Sequence, residues 1–194
     1  MTDAPPPTRR ILVRGLALDR VEALVGTYQE LDDPGDVTHT LTLRGPNDAG
    51  WVQLDVPDAL EDYHLYNLAK WLEGSEPDDP APSALLVVDQ GDDPYWLQTV
   101  SADGGSTILA GRYDDHRRLT YDLAQVGPVD DARFDASPMS VAMAMRTSGV
   151  PTAMQSPGGG PPVSRTLSFR PWPLDGDGAS PFVMKVLGWI FGKS

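Results

Sequence analysis

Residues 37–56 read Val37-Thr38-His39-Thr40-Leu41-Thr42-Leu43-Arg44-Gly45-Pro46-Asn47-Asp48-Ala49-Gly50-Trp51-Val52-Gln53-Leu54-Asp55-Val56, and this stretch decides the fold. Thr38, Thr40 and Thr42 alternate with His39, Leu41 and Leu43. That two-residue period, with its β-branched side chains, belongs to a half-buried strand. Residues 45–50 are dense in turn formers, so residues 51–56 are expected to return as the second arm of a hairpin.

On both sides of the hairpin the period becomes helical. Upstream, Ile11-Leu12-Val13-Arg14-Gly15-Leu16 is a strand candidate, and Asp19 can cap a helix over 19–31. Val21, Leu24, Val25 and Tyr28 give that helix one apolar face before Asp32-Asp33-Pro34-Gly35 stops it. Downstream, Asp58 can cap a helix over 59–73, ended by Gly74-Ser75, with residues 77–82 as a loop. Ala84-Leu85-Leu86-Val87-Val88 is a short continuous apolar run, as in a strand buried on both faces. The order over residues 10–90 is β-α-β-β-α-β, that of a ferredoxin-like, split βαβ unit.

Beyond it, residues 95–100, 107–113 and 118–123 read as strands of an antiparallel β-meander occupying 91–136. Ser137 and Pro138 can open a helix running to residue 147. Residues 155–162, Gln-Ser-Pro-Gly-Gly-Gly-Pro-Pro, read as a low-complexity linker, and 163–170 alternate as a strand. Ser180 and Pro181 can start a short apolar helix to residue 191, packed back with that strand onto the body. The expectation is therefore a disordered N-terminus over 1–9 and a single α+β domain over 10–194. Residues 137–194 supply its helix, linker, strand and C-terminal helix.

The chain has 194 residues, 28 acidic against 15 basic, and a formal charge of −13. Such a balance disfavours a phosphate-backbone ligand, so no nucleic acid is expected. The central strand Trp51-Val52-Gln53-Leu54-Asp55 carries one aromatic and an acid, not the basic and aromatic motif of an RNA-binding sheet. The charge is uneven. Residues 1–74 hold 6 basic and 13 acidic groups, residues 75–136 hold 4 and 13, and residues 137–194 hold 5 and 2. Cysteine is absent, which removes disulfides and thiolate chemistry. No transmembrane segment and no secretory leader are read, so the expected setting is cytoplasmic.

The helix over 59–73 is the most informative element. Leu60, Leu65, Leu68, Ala69, Trp71 and Leu72 fill one half of its wheel, with Glu61 and His64 inside that arc as a candidate buried polar pair. Tyr63, Tyr66, Asn67 and Lys70 lie on the other half, a composition suited to an interaction surface. His39, His64 and His116 are too scattered for a metal motif, and Asp114-Asp115-His116 reads as a hairpin tip. Asp175-Gly176-Asp177-Gly178 lacks the later glycine and acid of a calcium loop, and Gly158-Gly159-Gly160 lacks a phosphate loop's lysine. Met139, Met143 and Met145 read as core packing. No catalytic residue, cofactor or metal is assigned.

These features suggest an acidic protein-interaction module for a basic protein partner, of the antidote or inhibitor kind. The alternatives are an enzyme using His64 or an Asp-rich metal site, and a small-ligand-sensing regulatory domain. The latter would use a pocket between helix 59–73 and the sheet.

Overall fold

The computed structural model describes residues 8–31, 33–73, 81–91, 95–102, 105–112 and 141–173, and the facts below concern these residues. Three α-helices and one 3-10 turn pack on an antiparallel sheet, an α+β architecture. In chain order the elements are β1 (Arg9–Arg14), α1 (Leu18–Gln29), β2 (His39–Arg44), β3 (Trp51–Val56), α2 (Asp62–Glu73) and β4 (Ala84–Asp89). Then follow β5 (Tyr95–Ala102), β6 (Gly105–Arg112), α3 (Val141–Thr147), a 3-10 turn (Thr152–Met154) and β7 (Val163–Phe169). The sheet order is β6-β5-β4-β1-β3-β2-β7. Every pairing is antiparallel.

The hairpin of β2 and β3 turns where the sequence places it. Asn47 Oδ1 accepts from the backbone N–H of Ala49 at 3.0 Å and of Trp51 at 2.9 Å, an Asx-type turn. Gly45 has φ 98°, and a Cβ there would sit 2.8 Å from the Trp51 carbonyl oxygen, so a side chain is excluded.

Helix starts differ from the sequence expectation. Residue Ala17, not Asp19, occupies the N-cap of α1 and makes no side-chain cap bond; Asp19 lies in the first turn, where its charge favours the positive end of the helix dipole. For α2 the first helical bonds run from His64 and Leu65 N–H to the Glu61 carbonyl, at 3.0 and 3.2 Å. Residues 58–60 form a separate turn, so Asp58 is not a cap. Its carboxylate accepts from Thr8 Oγ1 at 3.0 Å instead. Long-range hydrogen bonds at residues 8 and 9 outcompete the local cap. Arg9 is already in β1 and 4% exposed, inside the segment expected to be disordered.

Alternation along the strands makes two cores. On one face Ile11, Val13, Leu41, Leu43, Val52, Leu54, Leu85 and Val87 meet α1 and α2, with Phe169 and Trp172 closing the end. On the other, Leu12, Trp51, Leu86 and Val88 meet Val141, Ala144, Met145 and Met154. β4 is thus buried on both faces, as its continuous apolar run requires. β1 is as well.

The second face also carries Arg10, Gln53 and Asp55. Arg10 lies opposite Asp55 in the β1–β3 register. All three are buried. Residues 154–161 cover them. Arg10 Nη1 donates to the Met154 and Ser156 carbonyls at 2.7 and 3.1 Å, and Arg10 Nη2 to Gln90 Oε1. Gln53 Nε2 donates to Asp55 Oδ1 at 2.6 Å and to the Gly159 carbonyl at 3.2 Å. Arg44 Nε meets Asp55 Oδ2 at 2.5 Å, and Gln90 Nε2 donates to the Gln155 carbonyl at 3.0 Å. The stretch read as a linker is therefore a strap whose carbonyls satisfy buried side-chain donors. A Cβ on Gly160 (φ 140°) would lie 2.5 Å from Gln53 Oε1.

Two strands of the expected meander are present as the β5–β6 hairpin, paired from Tyr95↔Arg112 to Ala102↔Gly105. The third, over 118–123, lies outside the described residues, as do the expected helix start at Ser137 and the C-terminal helix over 180–191. Among the described residues no helix is long and apolar enough to cross a membrane.

Candidate functional site: a histidine-lined pocket at the start of α2

A pocket of about 330 Å³ opens where the approach to β2, the 58–60 turn, the first turn of α2 and the segment after β7 converge. Each wall has a local cause. Arg9 Nη1 donates to the Asp58 and Leu60 carbonyls at 3.1 and 2.5 Å, fixing the turn and turning Leu60 inward. Gly35 N–H donates to the Pro171 carbonyl at 3.0 Å. A Cβ on Gly35 would stand 2.6 Å from that oxygen, so only glycine allows the two segments to approach so closely. Pro171 and Pro173 flank Trp172 on the far wall.

The floor is aromatic. Trp172 packs on Tyr28 with ring centroids 4.8 Å apart, and Tyr28 stacks on Phe169 at 6.0 Å with planes 10° apart. His64 meets Trp172 edge-on at 5.1 Å. The His64 Nδ1 lies 3.4 Å from the Tyr28 hydroxyl. Burial pushes the His64 pKa down from 6.5 to about 4; a hydrogen bond with the Trp172 backbone opposes this shift and nearby His39 adds to it. The imidazole is therefore neutral at neutral pH. Leu60, His64 and Trp172 are buried, whereas Asp36 and Glu61 stand exposed at the mouth. Between floor and solvent, Val37 is 65% exposed and His39 is half-buried.

The candidate residues fare unevenly. The expected buried pair of Glu61 and His64 does not form. His64 is buried, but Glu61 is exposed, and the two meet through the Glu61 carbonyl and the His64 amide at the helix start. Beginning α2 at Asp62 leaves Glu61 outside the apolar arc; Tyr28 and Trp172 take the place expected for it. Tyr63, Tyr66 and Lys70 lie on α2, but their side chains are outside what the structure describes; Asn67 is half-buried. His116, Asp114 and Asp115 are also outside the described residues.

His39 and Trp172 are the residues that sequence reasoning missed. His39 belongs to no motif in the sequence, and the β2–β7 pairing, with His39 opposite Phe169, carries Pro171-Trp172-Pro173 to it. The proline-bounded tryptophan just past a strand was the available signal. Among the described residues, no group of three or more His, Asp or Glu is placed to hold a metal ion. No family model matches the chain, and neither curated protein sequences nor solved structures yield a match to it.

Proposed function

We propose that the chain is a cytoplasmic, non-enzymatic interaction module that binds a basic protein partner, in the manner of an antidote or inhibitor. The observation that carries this reading is a net charge of −13 combined with a pocket mouth at which Val37 is exposed alongside Asp36 and Glu61. Long-range attraction steers a basic partner, and an apolar recess gives it a place to anchor. The N-terminal half is read as ferredoxin-like, supported by the order β4-β1-β3-β2 with α1 and α2 on one face. As a catalytic base His64 is poorly suited. Its ring contacts Tyr28 and the Trp172 backbone, and a pKa of about 4 makes it a weak base at neutral pH. A second reading, a small-ligand sensor, is favoured by the pocket volume of about 330 Å³, at the lower end for small-molecule sites.

The test begins with capture on the tagged full chain in extract of its own cells, followed by binding of the purified partner. The expected partner is basic, and its affinity weakens at least about tenfold when salt rises from about 0.05 to 0.5 M. A neutral or acidic partner, or binding indifferent to salt, would sink the reading.

A further inference from the structure

We infer that the pocket at the start of α2 takes one apolar side chain from a basic segment of a protein partner, with flanking lysine or arginine side chains meeting Asp36 and Glu61. This rests on the interaction reading above and names its anchor point. The arrangement of polarity dictates the direction of entry. Leu60, Trp172 and a neutral, buried His64 form the interior, where an inserted ammonium or guanidinium would lose its water without gaining an anionic partner. The carboxylates stand at the rim, exposed, where a cation keeps most of its hydration. An apolar group therefore goes in and the cations stay at the mouth.

The volume of about 330 Å³ leaves ample room for one leucine or phenylalanine side chain together with its flanking backbone. Val37 strengthens the case. It is 65% exposed, and it lines this pocket. An apolar anchor ringed by polar contacts is the usual anatomy of a protein-binding hot spot.

The test uses the full chain and blocked peptides carrying leucine, phenylalanine or glycine between two arginines, with citrulline versions as uncharged controls. The readout is the NMR resonance of the His64 ring, assigned by its loss in His64→Asn. Leucine- or phenylalanine-centred peptides are expected to move it saturably. Affinity should fall about tenfold for the glycine-centred peptide, for the citrulline peptides, and for the Asp36→Asn, Glu61→Gln double variant. Equal binding of the citrulline peptides, or no saturable movement with any peptide, overturns the proposal. A resonance that ignores every peptide but moves on Trp189→Ala assigns the pocket to the chain's own C-terminal residues and also overturns it. So does a shift that depends on protein concentration alone, which assigns the pocket to a second copy. If a basic partner binds the double variant with unchanged affinity and salt dependence, the pocket proposal fails while the interaction reading stands.

Discussion

Acidification is a direct probe of the packed histidine. His64 is 3% exposed, and its pKa is lowered from 6.5 to about 4. Below the unfolded value the unfolded chain carries a protonated imidazole while the folded chain still holds a neutral one. A depressed folded pKa contributes stability that is complete above the unfolded pKa and is lost as the pH falls toward the folded pKa. At about 1.4 kcal/mol per pKa unit, the loss should be about 2 kcal/mol between about pH 7 and pH 5, and about 3 kcal/mol by about pH 4.

The chain has 28 acidic residues that also titrate, so the informative quantity is the difference between the native chain and His64→Phe. Phenylalanine retains an aromatic edge against Trp172 and removes the titrating nitrogens. Urea unfolding followed by circular dichroism at about pH 7, 6 and 5 gives the two dependences. The variant should be less stable at neutral pH, because Tyr28 and the Trp172 backbone lose their partner. The gap should then narrow by about 2 kcal/mol on reaching about pH 5. A gap that stays constant, or a His64 resonance that titrates near 6.5 in the folded chain, would refute the reasoning.

Arg10→Met should destabilise the fold by about 3 kcal/mol, since the Met154 and Ser156 carbonyls lose their buried donor. Limited proteolysis should then cut within 155–162, and a strap that stays protected would contradict its dependence on Arg10. Gly160→Ala should cost about 1–3 kcal/mol in urea unfolding, because φ is 140° and the new methyl would meet Gln53. Gly26→Ala, on α1 with no atom within 4 Å of the added Cβ, should instead raise stability by about 0.5–1 kcal/mol, seen as a higher melting temperature.

Much of the architecture was legible because it is local. The hairpin, the apolar face of α1 and the doubly buried run of β4 each follow from side-chain period and turn chemistry. The strap was not. Its composition is that of a flexible linker, and nothing within 155–162 announces that its carbonyls are wanted elsewhere. The available hint lay a hundred or more residues away, in Arg10, Gln53 and Asp55 placed on strands that are otherwise apolar. On its own, that alternation reads as a solvent-facing side. The Glu61–His64 pairing failed for a related reason: the start of α2 is set by the turn that Arg9 holds, so a wheel begun at residue 59 includes a residue that lies before the helix.

The sequence by itself determined the kinds of element, their order up to β4, the acidic balance and the absence of cysteine chemistry. These are properties of single residues or of neighbours a few positions apart, and chain geometry translates them directly. Tertiary structure decided which strands are covered on both faces and which distant residues become a site. β2 pairs with β7 across the length of the chain, so His39 meets the Pro171–Pro173 segment, and α1 brings Tyr28 beneath the same His64. A pocket wall gathered from three separated segments leaves no local period in the sequence, because its members share a place only after the strands have found their register.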